Sequence, residues 1–229
     1  MGSFRYFPAD LYDDELLRNR VKAVAEQALE INPYESDALR MMAEVLDAEG
    51  KPDEALQFYR EAYNYALKDI RAIRGLADAF IRQAERARPE DRSRPLPKEV
   101  DYGYAKAQKL FEILLADTRE SGPDRARILN EIALCQFQQK QRDQAVNTWK
   151  RVLEIMPLNP YANYMLGIVY AQEDRLDWAM ERVDLCLKGA NEVGNQDRID
   201  DALQLRSLIK ASIDRERLAW YKTLGTEPY

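Results

Sequence analysis

Apolar residues recur along this chain at i, i+3, i+4 and i+7, the spacing that lines one face of an α-helix. Leu39, Met42, Ala43 and Leu46 form such a stripe, and it returns 34 positions later as Ile73, Leu76, Ala77 and Phe80. Ile132, Ala133 and Gln136 return in the same way, 34 positions on, as Leu166, Gly167 and Tyr170. A second helical pattern follows each first one. Ala55, Tyr59 and Ala62 match Ala145, Trp149 and Val152, then Ala179, Val183 and Cys186, with Ala107, Phe111 and Leu114 as the remaining copy. The turns between the two patterns are short and polar, at residues 49–53 and 139–143. Each closes on an Asp, which suits the positive end of the following helix. Small residues hold fixed places: Ala43, Ala77, Ala133 and Gly167 on the first helix, Ala55, Ala107, Ala145 and Ala179 on the second. Such residues let paired helices approach to the usual ~8–10 Å.

The pattern breaks in three places. At the start, residues 10–31 read as one helix of the second type, with Val21, Ala25 and Ala28 at its packing positions. Its missing partner is replaced by a segment carrying Phe4, Tyr6 and Phe7, expected to cover the end of the stack as a cap. In the middle, Phe80 to Ala107 spans 27 positions where Tyr170 to Ala179 spans 9. Residues 81–87 are expected to prolong the first helix. Residues 88–101, with Pro89, Pro95 and Pro97, are expected to form a loop open to trypsin after Arg92 or Lys98. At the end, residues 197–222 predict one long amphipathic helix with Ile199, Ala202, Leu203, Leu205, Leu208, Ile209 and Ile213 on its apolar face. Leu218, Trp220 and Tyr221 are candidates for a second docking surface.

Leu166-Gly167, Tyr170 and Ala179, with the closing segments Glu154-Ile155-Met156-Pro157 and Glu30-Ile31-Asn32-Pro33, resemble the tetratricopeptide repeat family over roughly residues 12–190. The resemblance implies an all-α, right-handed, TPR-like helical-hairpin solenoid. Its expected parts are an N-terminal cap and half repeat (1–33), repeats at 36–69, 70–121 (with the inserted loop 88–101), 126–159 and 160–193, and a C-terminal helix at 195–223. It further implies that the first helices line a concave groove, with repeat positions 2, 5, 9 and 12 pointing into it. Those are Asp37, Arg40, Glu44 and Asp47; Arg71, Arg74, Asp78 and Ile81; Arg127, Asn130, Leu134 and Phe137; and Tyr161, Tyr164, Ile168 and Ala171, with Arg82 beside them. The first half of this series is charged and the second aromatic and aliphatic. The candidate partner-binding residues are therefore Arg40, Glu44, Arg71, Arg74, Asp78, Arg82, Arg127, Asn130, Phe137, Tyr161, Tyr164 and Ile168. An acidic part of a partner would meet Arg40, Arg71, Arg74 and Arg127, and an apolar part Tyr161 and Tyr164. The clamp by which chaperone-binding members hold a C-terminal carboxylate is not reproduced at the matching positions in either register. A heat-shock chaperone peptide is thus not the expected ligand.

Composition narrows the chemistry. The chain has 229 residues and a mass of 26.6 kDa, with 34 basic and 40 acidic residues for a net charge of −6. An acidic balance disfavours nucleic acid, which needs a basic field. There is no histidine, which removes the commonest general base and the commonest metal ligand. Cys135 and Cys186 lie within apolar helical patterns and read as small buried hydrophobes. No cofactor, metal or catalytic residue is expected. The first residues show no apolar signal region, Tyr6 departs from the myristoylation pattern, and no stretch approaches a membrane span, so a cytoplasmic protein is expected. The expected function is a protein–protein interaction adaptor, scaffold or assembly factor. A self-assembling scaffold using the C-terminal helix or the aromatic stripe is the first alternative, and a helical-repeat RNA-binding protein the second.

Overall fold

In the computed structural model, residues 14–89, 97–116 and 122–224 are described, with side chains described to residue 215. Among them are ten α-helices and no strand. The helices are α1 (Glu15–Ile31), α2 (Ser36–Ala48), α3 (Pro52–Tyr65), α4 (Ile70–Ala87), α5 (Lys98–Ala116), α6 (Gly122–Gln138), α7 (Arg142–Ile155), α8 (Pro160–Gln172), α9 (Leu176–Glu192) and α10 (Gln196–Leu224). The chain divides into two compact units. The first comprises Met1–Arg119 and Leu134–Gln141, the second Glu120–Ala133 and Arg142–Tyr229.

In the first unit each of the helices α1 to α5 packs on the next, and α2 also touches α4. The stripe residues of α2 to α5 found from the sequence are buried here, including Leu39, Ala43, Ala55, Tyr59, Ile73, Ala77, Ala107 and Phe111, whereas on α1 Ala25 is buried and Val21 and Ala28 are half-buried. Close approach of α4 and α5 depends on Gly103, where a Cβ would lie 2.8 Å from Ala84 Cβ and 2.9 Å from Phe80 O. The second unit repeats the scheme. Helices α7 to α10 pack in succession, and α8 also touches α10. Its core holds Trp149, Leu166, Val183 and Cys186, and a Cβ on Gly167 would stand 3.0 Å from Val183 Cγ2.

The hairpin turns share one backbone solution. Lys51, Gln141 and Arg175 each donate their N–H to a carbonyl five residues back, on Leu46, Gln136 and Tyr170. The residue before each donor has positive φ: Gly50 (74°), Lys140 (62°) and Asp174 (60°). This is the Schellman ending of a helix, and its left-handed position comes without strain only to glycine. The following helices carry Asp53 and Asp143 in their first turns. Asp69 and Asn159 cap α4 and α8, accepting from Arg71 N (2.8 Å) and Ala162 N (2.9 Å).

Several boundaries differ from expectation. Helix α1 starts at Glu15 rather than residue 10, because the Asp14 carboxylate accepts from Leu17 N and fixes the start there. Residues 98–101, read as loop, are the first turn of α5. Pro97 supplies the carbonyl that Val100 N bonds, and Glu99 and Asp101 suit the helix start. On α10, Ala202 and Ile209 are buried, but Leu203 and Leu208 are exposed, because they lie on opposite flanks of the packed stripe. The aromatic segment with Phe4, Tyr6 and Phe7, the trypsin site at Arg92, and the side chains of Leu218, Trp220 and Tyr221 lie outside the described residues. No helix among the described residues is long and apolar enough to cross a membrane.

Candidate functional site

The groove positions behave as a set. Nearly all keep some solvent exposure while their neighbours on the same helices are buried. Asn130 is the exception. It is buried, and its amide donates to Asn159 Oδ1 (3.2 Å) at the cap of α8. It is thus engaged within its own unit.

On the first unit the charged positions satisfy one another. Arg40 bonds Glu44 one turn on and reaches Asp37 at 3.4 Å. Arg71 of α4 reaches across to Asp37 of α2 at 3.0 Å. Arg82 of α4 reaches Asp47 of α2 at 2.5 Å, and its guanidinium lies 5.7 Å from the Tyr59 ring. The ladder thus ties two successive first helices together. Burial pushes the carboxyls of Glu44 and Asp47 up, against the pull of Arg40 and Arg82 respectively. Asp78 is pushed up to about 6 by burial, with Arg82 and Arg74 holding it down. Phe137, also of this unit, is partly buried.

The arginines of this unit differ in how firmly the chain itself engages them. Arg40, with its side chain 19% exposed, is committed to a Glu44 that is itself 14% exposed. Arg74 also pulls on the half-buried Asp78, after Arg82. Arg71, 62% exposed, differs: an exposed pair is worth about 1 kcal/mol or less and exchanges readily.

The second unit carries a different surface. Tyr161 and Tyr164 of α8 lie under Arg198 of α10, whose guanidinium is 5.5 Å from the first ring and 4.5 Å from the second. Asp201 holds Arg198 at 3.3 Å. Burial raises the Tyr164 hydroxyl, and Asp201 adds to the rise. Ile168 is half-buried one turn further along α8. Arg127 is exposed, with Asp124 at 3.6 Å. The stripe is therefore partly covered by the chain itself, through the C-terminal helix. Arg198 was missed in the sequence, although the signal was present: it stands 34 positions after Tyr164, as Arg74 stands 34 after Arg40. Helix α10 is the first helix of one more repeat.

Both cysteines are buried and free, and burial pushes the Cys186 thiol up to about 11.

No family model and no curated protein matches the sequence. Solved structures do. The pilF protein of Pseudomonas aeruginosa is similar over 91% of this chain and 93% of its own, with TM-score 0.60 and 21% identity. PilW, described as a widely conserved type IV pilus biogenesis factor, matches over 89% and 88%, with TM-score 0.58 and 20% identity. YrrB, a TPR protein with an unusual peptide-binding site, matches over 83% and 97%, with TM-score 0.53 and 16% identity. At these identities the likeness is one of architecture, and it agrees with the register and the hairpin geometry: the chain has the all-α fold of the tetratricopeptide repeat proteins.

Proposed function

We propose that the chain is a protein-binding adaptor or assembly factor, without catalytic activity, whose second unit holds a partner segment on the first-helix face. The observation that carries this reading is the aromatic pair Tyr161 and Tyr164, half-exposed under Arg198, with Ile168 beside it. Tyrosine and arginine contribute disproportionately at protein interfaces because they bring large, rigid contact area with polar edges. A partner fitted to this face places an apolar side chain against Tyr164 and Ile168 and a carboxylate on Arg127. That carboxylate would displace Asp124 from an exposed pair. The similar fold of a type IV pilus biogenesis factor and of a protein with a peptide-binding site supports the class of function. A cytoplasmic address belongs to the same proposal, and the two free cysteines suit a reducing compartment.

The test is binding of a partner captured from the native source, compared among the wild type, Tyr164→Ala and Arg127→Glu at low and high salt. Tyr164→Ala should cost roughly 2 kcal/mol or more, in the dissociation rate and independently of salt. Arg127→Glu should slow association at low salt and lose its effect at high salt. If both variants bind as the wild type does while circular dichroism shows an intact fold, this face is not the site.

A further inference from the structure

The first unit carries an apolar edge that the described residues leave exposed. It lies where one hairpin passes to the next, at the α1–α2 and α3–α4 turns. Tyr34 and Tyr65 face each other there, with ring centroids 4.8 Å apart. They are 62% and 52% exposed, and Ile31 (87%), Leu67 (59%) and Ile70 (43%) flank them in the same two turns. The turns are fixed side by side: Ser36 Oγ donates to Ala62 O (3.1 Å), and Glu35 N and Asp69 N close each turn on Asn32 O and Ala66 O. The edge is therefore ordered before any partner arrives, so little conformational entropy is lost on docking.

The same register position in the second unit shows what a closed edge looks like. Leu158 corresponds to Tyr34, and Gly189 to Tyr65. There the backbone of Leu158 lies directly against α9, so close that a Cβ on Gly189 would be 1.9 Å from Leu158 O. A tyrosine pair cannot pack so closely. It holds the first unit's edge apart and presents aromatic faces outward.

We propose that this edge is an interface through which two copies of the chain associate about a two-fold axis. Size favours a second copy. Two half-exposed tyrosines and three aliphatic side chains offer roughly 600–700 Å², more than a monomer usually leaves open in one patch and close to the ~800 Å² that each partner gives a standard interface. The rim is mixed in sign, with exposed Glu30, Glu35 and Glu61 against exposed Lys68. In a two-fold contact each residue meets its opposite number's neighbours, so one copy's Lys68 can face the other's glutamates.

The experiment is sedimentation velocity of the full chain over a concentration series, for wild type, Tyr34→Glu/Tyr65→Glu and Leu208→Glu. The wild type should show a concentration-dependent dimer. The double tyrosine variant, whose changes are exposed and leave the helices formed, should raise the dimer dissociation constant about tenfold or more. Leu208→Glu, an exposed change on α10, should leave it unaltered. A wild type that stays monomeric to several hundred micromolar overturns the proposal. So does a dimer that survives the tyrosine variant, or one that the Leu208 change abolishes.

Discussion

The two units build on one repeat but distribute polar and apolar groups in opposite ways. In the first, the face of α2 and α4 is bound by its own ions, from Asp37–Arg71 to Asp47–Arg82, while the edge at Tyr34 and Tyr65 is exposed among the described residues. In the second, the edge is shut at Gly189, and the corresponding face carries tyrosines under a single arginine. A repeat fold has only these two kinds of place to vary once its small-residue contacts are fixed. A unit that neutralises its groove loses affinity for a charged ligand there and gains cohesion between successive hairpins.

The sharpest way to break this contrast is at Gly189. In an ordinary helix interior, Gly→Ala gains about 1 kcal/mol of helix propensity. Here the added methyl meets the Leu158 carbonyl, so Gly189→Ala should instead destabilise by about 3 kcal/mol, read from chemical denaturation. A neutral or stabilising result would mean that the edge of the second unit is no more closed than that of the first.

A smaller effect should come from Asp78. Its carboxyl is held at about 6 by burial, above the ordinary value of 3.8. Between those two values the folded chain binds more protons than the unfolded one. The group's contribution to stability is therefore complete at low pH and lost as pH rises through about 6. Asp78→Asn removes the buried charge and should raise the melting temperature by a few degrees at pH 8, with little change at pH 4. A variant that melted lower at pH 8 would show that Arg74 and Arg82 gain more from Asp78 than its burial costs.

The smallest change tests the hairpin turns, whose geometry recurs along the chain. Lys140 holds φ at 62° in the position that Gly50 fills at 74°. Lys140→Gly should stabilise by about 0.5–1 kcal/mol, whereas Gly50→Ala should destabilise by a similar amount. Opposite signs at equivalent positions, measured by thermal melting, are the expected outcome.

Much of the fold was legible because burial in a repeat stack is strictly periodic. Leu39, Ile73, Ile132 and Leu166 have to be apolar, and Ala43, Ala77, Ala133 and Gly167 small, wherever helices meet at fixed distance. The site was legible only in part. Repeat position locates a side chain on a face but says nothing of its neighbour across the helix. Thus Arg40 reads as a ligand arginine until Glu44 is seen beside it, and Asn130 as a groove residue until its amide is found at the cap of α8. Two of the three turns within hairpins, at Lys140 and Asp174, carried no glycine to announce them. Arg198 was hidden by treating α10 as a cap, since a cap helix is read for its apolar face alone.

Helix α10 also bears on engineering. Its register makes it a first helix, yet where α8 carries Asn163, Leu166, Gly167 and Tyr170, α10 carries Asp197, Asp200, Asp201 and Gln204. A second helix laid against those carboxylates would have nothing apolar to bury and no small residue to approach. Consensus repeats fused behind α10 would consequently dangle as an independent module. An array meant to grow as one cooperative body must be spliced in ahead of Gly194, with α10 moved to the end of the lengthened chain.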